Sequence, residues 1–224
     1  MIYSRHGAIA SLNRNIKSKS AKSFNIRVFG EGRCRDTTNF FNNHFAKFVS
    51  GFRKDKNFEI SYVPFGKASC IKNEDDFNCT CHFGPLECQL NILQNCVIDT
   101  FKNNFNVYFP FVHCIQGKGS LDDAISQCLT PLNDKLIKSL KKCSEGKKGR
   151  KLLANAEKLT RKYAPQLNFV PWIVINNQRE VEVFYTGFEK AICNDFFENS
   201  TVPESCFTYI YKETLYSIDS EKIL

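Results

Sequence analysis

Apolar and polar residues alternate along FNIRVF, residues 24 to 29, and again along FEISYVPF, residues 58 to 65. Alternation with β-branched and aromatic residues predicts two strands. GEGR breaks the first strand, and Asp36 and Thr37 then offer N-cap side chains for a helix running to about Gly51. Phe40, Phe41, Phe45, Phe48 and Val49 recur along that helix at the spacing of one buried face. A strand, a helix and a strand in succession predict a parallel pair joined by a crossover.

From Gly66 to Cys81 the pattern loses its period and reads as loop, and helical periodicity returns over Leu86 to Asn104. Further helices are predicted over Leu121 to Cys128, Leu132 to Cys143 and Arg150 to Tyr163. NFVPWIVINNQ, residues 168 to 178, reads as a strand entering a turn at Asn176 and Asn177, with VEVFY, residues 181 to 185, as the returning arm of a hairpin. A last helix is expected from Gly187 to Phe197. The order βαβ, helical stretch, ββα predicts an α/β (α+β) chain with a thioredoxin-like fold whose two halves are separated by an insertion. The expected layout is a basic arm over residues 1–23, the βαβ half over 24–66, a disulfide-rich helical insertion over 67–165, the ββα half over 166–206 and a tail over 207–224.

Composition sharpens this picture through cysteine. Eleven cysteines in 224 residues point to disulfides made in an oxidising compartment, and an odd number leaves one over. The sequons Asn78-Cys79-Thr80 and Asn199-Ser200-Thr201 agree with the secretory pathway and make Asn78 and Asn199 candidate glycosylation sites. The first 23 residues carry five bases, no acid and no apolar h-region, so they are not an intact secretory signal, and a mature or trimmed form is expected. No apolar run is long enough to predict a membrane span. Cys79, Cys81, Cys88 and Cys96 are spaced poorly for a zinc site, so disulfides are the favoured use and neither metal nor cofactor is expected.

Chemistry concentrates in two stretches. In FGEGRCRDTTNFF, residues 29 to 41, Cys34 stands at the start of a helix where a thiol-disulfide enzyme keeps a C-x-x-C pair, but the fourth position is Thr37. CHFGPLECQLNILQNC, residues 81 to 96, resembles the C-Q-H-G-x-x-E-C-x-x-N-x-x-x-x-C signature of the gamma-interferon-inducible lysosomal thiol reductases (GILT). Cys81, Gly84, Glu87, Cys88, Asn91 and Cys96 fall in register, while His82 and Phe83 depart from it. LLANAEKLT (152–160), FVPWIVIN (169–176), Cys193, Pro203 and Cys206 extend the resemblance over roughly residues 24 to 206. It implies a thioredoxin-like fold with a helical insertion and reduction of protein disulfides in lysosomal or secreted settings. The Cys-x-x-Thr form of the site resembles that of arthropod members.

Disulfide reduction needs one thiol to attack and a second to resolve the mixed disulfide. Cys34 holds the attacking position; a hydroxyl at Thr37 cannot displace sulfur. Three readings of Cys34 stay open: a free thiol activated by the helix terminus and by Arg33 and Arg35 against Asp36, an idle relic in a binding protein, or a disulfide partner. The resemblance places Pro171 where a cis-proline walls the substrate groove, and Trp172 beside it reads as core. A Cys193–Cys206 disulfide is expected, and Cys70 with Cys79 as a local pair. Glu87 reads as structural, and His6, His44, His82 and His113 have no catalytic spacing. Ser120 with Asp122 and Asp123 reads as a helix start.

Charge adds one surface. Lys135 to Lys162 holds eleven bases against Glu145 and Glu157, a net +9 within a chain of +8. Lys141, Lys142, Lys147, Lys148, Arg150 and Lys151 are the candidate anion-binding patch, competing with a merely solvated helical face. Nucleic acid is not expected, because no recognition motif accompanies the charge. The favoured function is therefore binding of an extracellular protein, cell surface or sulfated glycan by a secreted, or else lysosomal, protein without dithiol reductase activity. The alternative is a monothiol oxidoreductase that uses Cys34.

Overall fold

A computed structural model describes residues 24–52, 57–195 and 206–207. The basic arm of residues 1–23, the sequon at Asn199 and the tail beyond residue 207 lie outside the described residues. β1 (Phe24–Gly30) runs parallel to β2 (Phe58–Pro64), in register from Phe24 opposite Phe58 to Gly30 opposite Pro64. β5 (Trp172–Ile175) lies antiparallel on the other side of β1, from Ile26 opposite Ile175 to Phe29 opposite Trp172, and β6 (Gln178–Arg179) completes the order β2-β1-β5-β6. This is the mixed sheet expected of a thioredoxin-like core. β1 is buried at its C-terminal end because it is central, with a hydrogen-bonded partner on each edge.

The chain between β1 and β2 is helical from Arg35 to Phe52: α1 (Arg35–Phe40), a π-helical turn over Phe41–Phe45, and α2 (Ala46–Phe52). The predicted phenylalanine face is inside, with Phe40, Phe41, Phe45 and Phe48 each no more than 1% exposed. Phe188 stacks on Phe48 at 4.5 Å between ring centroids and lies 5.4 Å from Phe45 and 5.7 Å from Phe40. That aromatic contact fastens the C-terminal half of the fold to the crossover helix.

Two regions depart from the sequence reading. Residues 66–81 are not all loop, because β3 (Ser69–Asn73) and β4 (Asp76–Thr80) form a separate hairpin, and the local pair Cys70–Cys79 bridges directly opposed positions. No residue of the hairpin is fully buried, so it has no strong apolar alternation to announce it. Residues 181–185 are not the second arm of a hairpin. β5 turns at Asn176 and Asn177, both in the left-handed region, and pairs only with the two residues of β6. The chain then coils into α8 (Glu182–Thr186), turns at Gly187 with φ 86°, and enters α9 (Phe188–Lys190) and a π-helical turn over Ala191–Asp195. The alternation in VEVFY is too short to distinguish strand from helix, and burying Val183 together with Phe188 decides for the coil.

The insertion centres on α3 (Pro85–Thr100), which packs against α4 (Phe105–Ile115), α5 (Leu121–Cys128), α6 (Asp134–Glu145), α7 (Lys147–Tyr163) and β2. α4 escaped the sequence reading because Pro110 interrupts its pattern and Asn104 makes no side-chain cap. Ser120 caps α5 by accepting from the Asp123 amide at 3.0 Å, and Asn133 caps α6 in the same way through the Leu136 amide. Cys81–Cys88 closes the start of α3, Cys96–Cys143 joins α3 to α6, Cys114–Cys128 joins α4 to α5, and Cys193–Cys206 ties residues 191–195 to 206–207.

If the Phe188 contact joins the two halves, Phe188→Ala should cost about 3–5 kcal/mol, the usual range for emptying a buried phenylalanine site. Urea unfolding followed by circular dichroism reads this directly. A loss under 1 kcal/mol would show that the aromatic cluster does not hold the C-terminal half in place.

Candidate functional site

Cys34 is the N-cap of α1, so the helix is capped earlier than at the predicted Asp36 or Thr37. It is 7% exposed and unpaired, whereas the other ten cysteines form five disulfides. Its Sγ faces the carbonyl oxygen of Val170 at 3.7 Å. The Val170–Pro171 peptide bond is cis, so Pro171 stands beside the thiol, and Trp172 is buried behind it. Arg33, Arg35 and Asp36 all point to solvent.

Thr37, one helical turn from Cys34, is fully buried and its hydroxyl has no hydrogen-bond partner. The site is tight there: a Cβ on Gly30 would meet Thr37 Cγ2 at 2.6 Å and the Tyr62 hydroxyl at 2.7 Å. Only glycine at position 30 lets β1 run beneath the start of the helix. Thr37 is therefore part of the packing under Cys34, and no second sulfur is available among the described residues.

The turn that presents Cys34 is held from the insertion. The Gly32 amide donates to Asn91 Oδ1 at 2.7 Å, which gives the asparagine of the signature a definite task. Gln116, just after α4, donates from Nε2 to the Glu31 carbonyl at 2.7 Å and to Thr38 Oγ1 at 3.1 Å. Thr38 Oγ1 in turn donates to the Cys34 carbonyl at 2.9 Å, and the Gly117 amide donates to the Gly32 carbonyl at 2.8 Å. Gln94 from α3 bonds Gln116 Oε1 at 3.1 Å, so α3, α4 and the Cys34 turn share one buried network. Glu31, Thr38, Gln94 and Gln116 carry no periodic or motif signal, and sequence reading passed over them.

Two buried carboxyl groups lie behind this turn. Glu31 accepts from the Lys67 amide at 2.8 Å through Oε1 and faces His82 Nδ1 at 3.3 Å through Oε2. A Cβ on Gly66, whose φ is 60°, would collide with the Glu31 side chain, so that glycine is needed for both shape and space. Glu87, at the first turn of α3, is also fully buried. Burial first and the charge of Glu31 second push its pKa up to about 7, although the amides of His82 and Phe83 and the charge of Lys67 act the other way. Tyr62 reaches the same space, and burial, Cys34, Glu31 and Glu87 all raise its pKa well above the usual value. Sequence reading took Glu87 as structural and did not anticipate its proton.

The remaining candidates fall elsewhere. Cys81 and Cys88 flank Glu87 and Gly84 is the N-cap of α3, so the signature is one compact structure at that helix start. Asn78 is exposed on β4. The basic patch is heavily neutralised: Lys147 pairs with Asp75, Lys148 with Asp99 and Arg150 with Asp76, each at 2.7 Å, and Lys141 approaches Asp122 and Glu145 at 3.9 and 4.0 Å. Arg150 holds the Asp76 carboxyl down at about 2. Of the six patch residues only Lys142 and Lys151 make no ion pair among the described residues. Charge counted along the sequence overstated the field because these acids come from the hairpin, α3 and α5. His113 bonds Asn42, and neither it nor His44 adjoins Cys34 in any hydrogen bond or ion pair found. Among the described residues no group of three or more His, Cys, Asp or Glu side chains is disposed to hold a metal ion, and no helix is long and apolar enough to cross a membrane.

Comparison with known proteins bears on this site. Residues 25–132 match the family profile described as gamma interferon inducible lysosomal thiol reductase (GILT). A GILT-like protein of Caenorhabditis elegans is 35% identical over 195 residues, covering 87% of this chain and 58% of the relative. A second from the same organism is 36% identical over 169 residues, covering 74% of this chain and 77% of the relative. The gamma-interferon-inducible lysosomal thiol reductase of Mus musculus is 27% identical over 120 residues, 53% of this chain and 48% of its own length. Among solved structures, Chlamydia trachomatis DsbA superposes with a TM-score of 0.52 at 17% identity, over 71% of this chain and 77% of that one, which is a likeness of fold.

The raised Glu87 pKa has a measurable consequence. The folded state keeps a proton at Glu87 that the unfolded chain releases near 4.5, so stability from this group is present in acid and declines as pH rises towards 7. Between pH 5 and 7.5 the protein should lose about 1–3 kcal/mol on this account, and Glu87→Gln should flatten that part of the profile. Urea midpoints across that range test it; equal slopes in both proteins would show that Glu87 is ionised throughout.

Proposed function

The chain belongs to the gamma-interferon-inducible lysosomal thiol reductase (GILT) family, and from that premise we propose that it binds protein partners at the Cys34 face without acting as a dithiol reductase. The observation that carries this is the pairing of ten cysteines around one buried free thiol, with Thr37 packed where the resolving sulfur would stand. Phe83, beside His82, and Phe169, beside Val170, are 46% and 37% exposed on the two segments that flank the Cys34 turn. Exposed aromatic side chains on a rigid frame favour a protein partner. The neutralised basic patch favours protein over sulfated glycan. The five disulfides fit an oxidising setting, and on this reading the protein is secreted, or else lysosomal, with Asn78 available for glycosylation.

A second reading is supported by the position of Cys34 itself, at a helix N-terminus beside a cis-proline. In a single-thiol exchange the Cys34 thiolate attacks one sulfur of a partner disulfide, a Cys34–partner disulfide forms and the other partner sulfur leaves as a thiolate. An external low-molecular-weight thiol then attacks the mixed disulfide, restoring Cys34 and carrying the partner sulfur away as a new disulfide.

Insulin reduction at pH 5 and pH 7 separates these readings. The wild type should show no turnover above its Cys34→Ser variant, while Thr37→Cys, which restores two sulfurs one helical turn apart, should gain activity that depends on Cys34. Wild-type turnover that needs Cys34 and an added monothiol would establish the exchange reading. With an added thiol, turnover above background that persists undiminished in Cys34→Ser would overturn both.

A further inference from the structure

The sheet, α3 and α7 do not close completely on one another. Between them lies a partly open cavity of about 270 Å³, and neither Cys34 nor Pro171 lines it. Arg27 from β1, its cross-strand partner Ser61 and Val63 two residues further along β2 form the wall on the sheet side. Asn95 and Ile98 contribute from α3, and Leu152, Ala156 and Leu159 form a stripe at helical spacing along α7. Protein interiors hold few voids larger than a water molecule, so a space of this size is not an ordinary packing gap. Its volume falls just below the range of about 300–1,000 Å³ that suits drug-sized ligands, which restricts the occupant to a smaller molecule.

The lining divides by chemistry. Val63, Ile98 and Ala156 are each under 10% exposed and make an apolar floor, and Leu159, 45% exposed, stands at the rim. Arg27 is the cation of the lining, and among the described residues it makes no ion pair. Its side chain's one hydrogen bond there is long, from Nη1 to Asn177 Oδ1 at 3.3 Å. The Tyr163 ring, its centroid 3.9 Å from Arg27 Cζ, holds the guanidinium without using up its N–H donors. Glu59 on the adjoining strand is engaged by Asn25 Nδ2 at 2.7 Å. The acid of the lining, Asp99, is matched by Lys148 at 2.7 Å. Asn103 and Asn155 also line the cavity, and their exposed side-chain amides make no hydrogen bond among the described residues. We propose that this cavity binds a small monocarboxylate with an apolar chain, the carboxylate on Arg27 and the chain against Val63, Ile98 and Ala156. A fixed guanidinium with spare donors beside an apolar floor meets both ends of such a molecule. The site is separate from the Cys34 face and does not depend on the reactivity of the thiol.

The test is an NMR titration of the nitrogen-15-labelled full chain with octanoate at pH 7, read on the side-chain amide signals of Asn95, Asn103 and Asn155. Those signals should shift and saturate together. Octanol, the neutral analogue, should bind more weakly, and octylammonium more weakly still. Arg27→Gln should weaken octanoate about tenfold or more, because a charged hydrogen-bond donor is lost, and bring it level with octanol. Asn155→Asp changes an exposed side chain to one of the same shape and puts a like charge in the lining. It should weaken octanoate severalfold and leave octanol unchanged, which supplies the decision should Arg27→Gln fail to fold. The absence of saturable shifts at these amides would overturn the site. Octanol or octylammonium binding as tightly as octanoate, or octanoate binding Asn155→Asp as tightly as the wild type, would overturn its assignment to a carboxylate.

Discussion

The hydrogen bond from the Gly32 amide to Asn91 Oδ1 is the contact on which the site depends. It joins the turn before Cys34 to a helix inserted elsewhere in the chain, and the bonds through Gln116, Gln94 and Thr38 extend it. A buried amide left without its partner costs more than an ordinary hydrogen bond contributes, so this network fixes the turn more firmly than its few bonds suggest. The disulfides Cys81–Cys88 and Cys96–Cys143 hold α3 at its start and near its end, and so hold Asn91 in place. The family signature can thus be understood as a support for the Cys34 turn from outside the thioredoxin-like core.

That arrangement explains how the Cys34 turn is held with Thr37, not a second cysteine, at the fourth position. The position of Cys34 is set by Asn91, Gln116 and Thr38 and by the cis-peptide segment, none of which requires a cysteine at position 37. Thr37 can then serve the packing against Gly30 and Tyr62. The frame that positions the thiol therefore does not depend on a second sulfur at position 37.

Much of the fold was legible in the sequence because hydrophobic periodicity is strong where one face of an element is buried. Phe40 to Val49 and FNIRVF show it plainly. It failed where burial does not alternate: the β3–β4 hairpin has no fully buried residue, α4 carries Pro110, and VEVFY mixes two periods within five residues. At the site, Cys34, Thr37 and Pro171 could be singled out because a motif names them. Glu31 and Gln116 could not, since their role comes from atoms that meet only after the insertion folds onto the core. For the basic patch, charge is counted along the chain while the ion pairs with Asp75, Asp76 and Asp99 form in space and are not legible there.

The central claim is that one thiol, at Cys34, remains after ten cysteines have paired. Denaturing the unreduced protein in the presence of an alkylating reagent, followed by peptide mapping with a protease that spares Arg33 and Arg35, counts the free thiols and locates them. One label per chain, at Cys34, is the result the structure predicts. A label at any other cysteine, or none at all, would contradict it.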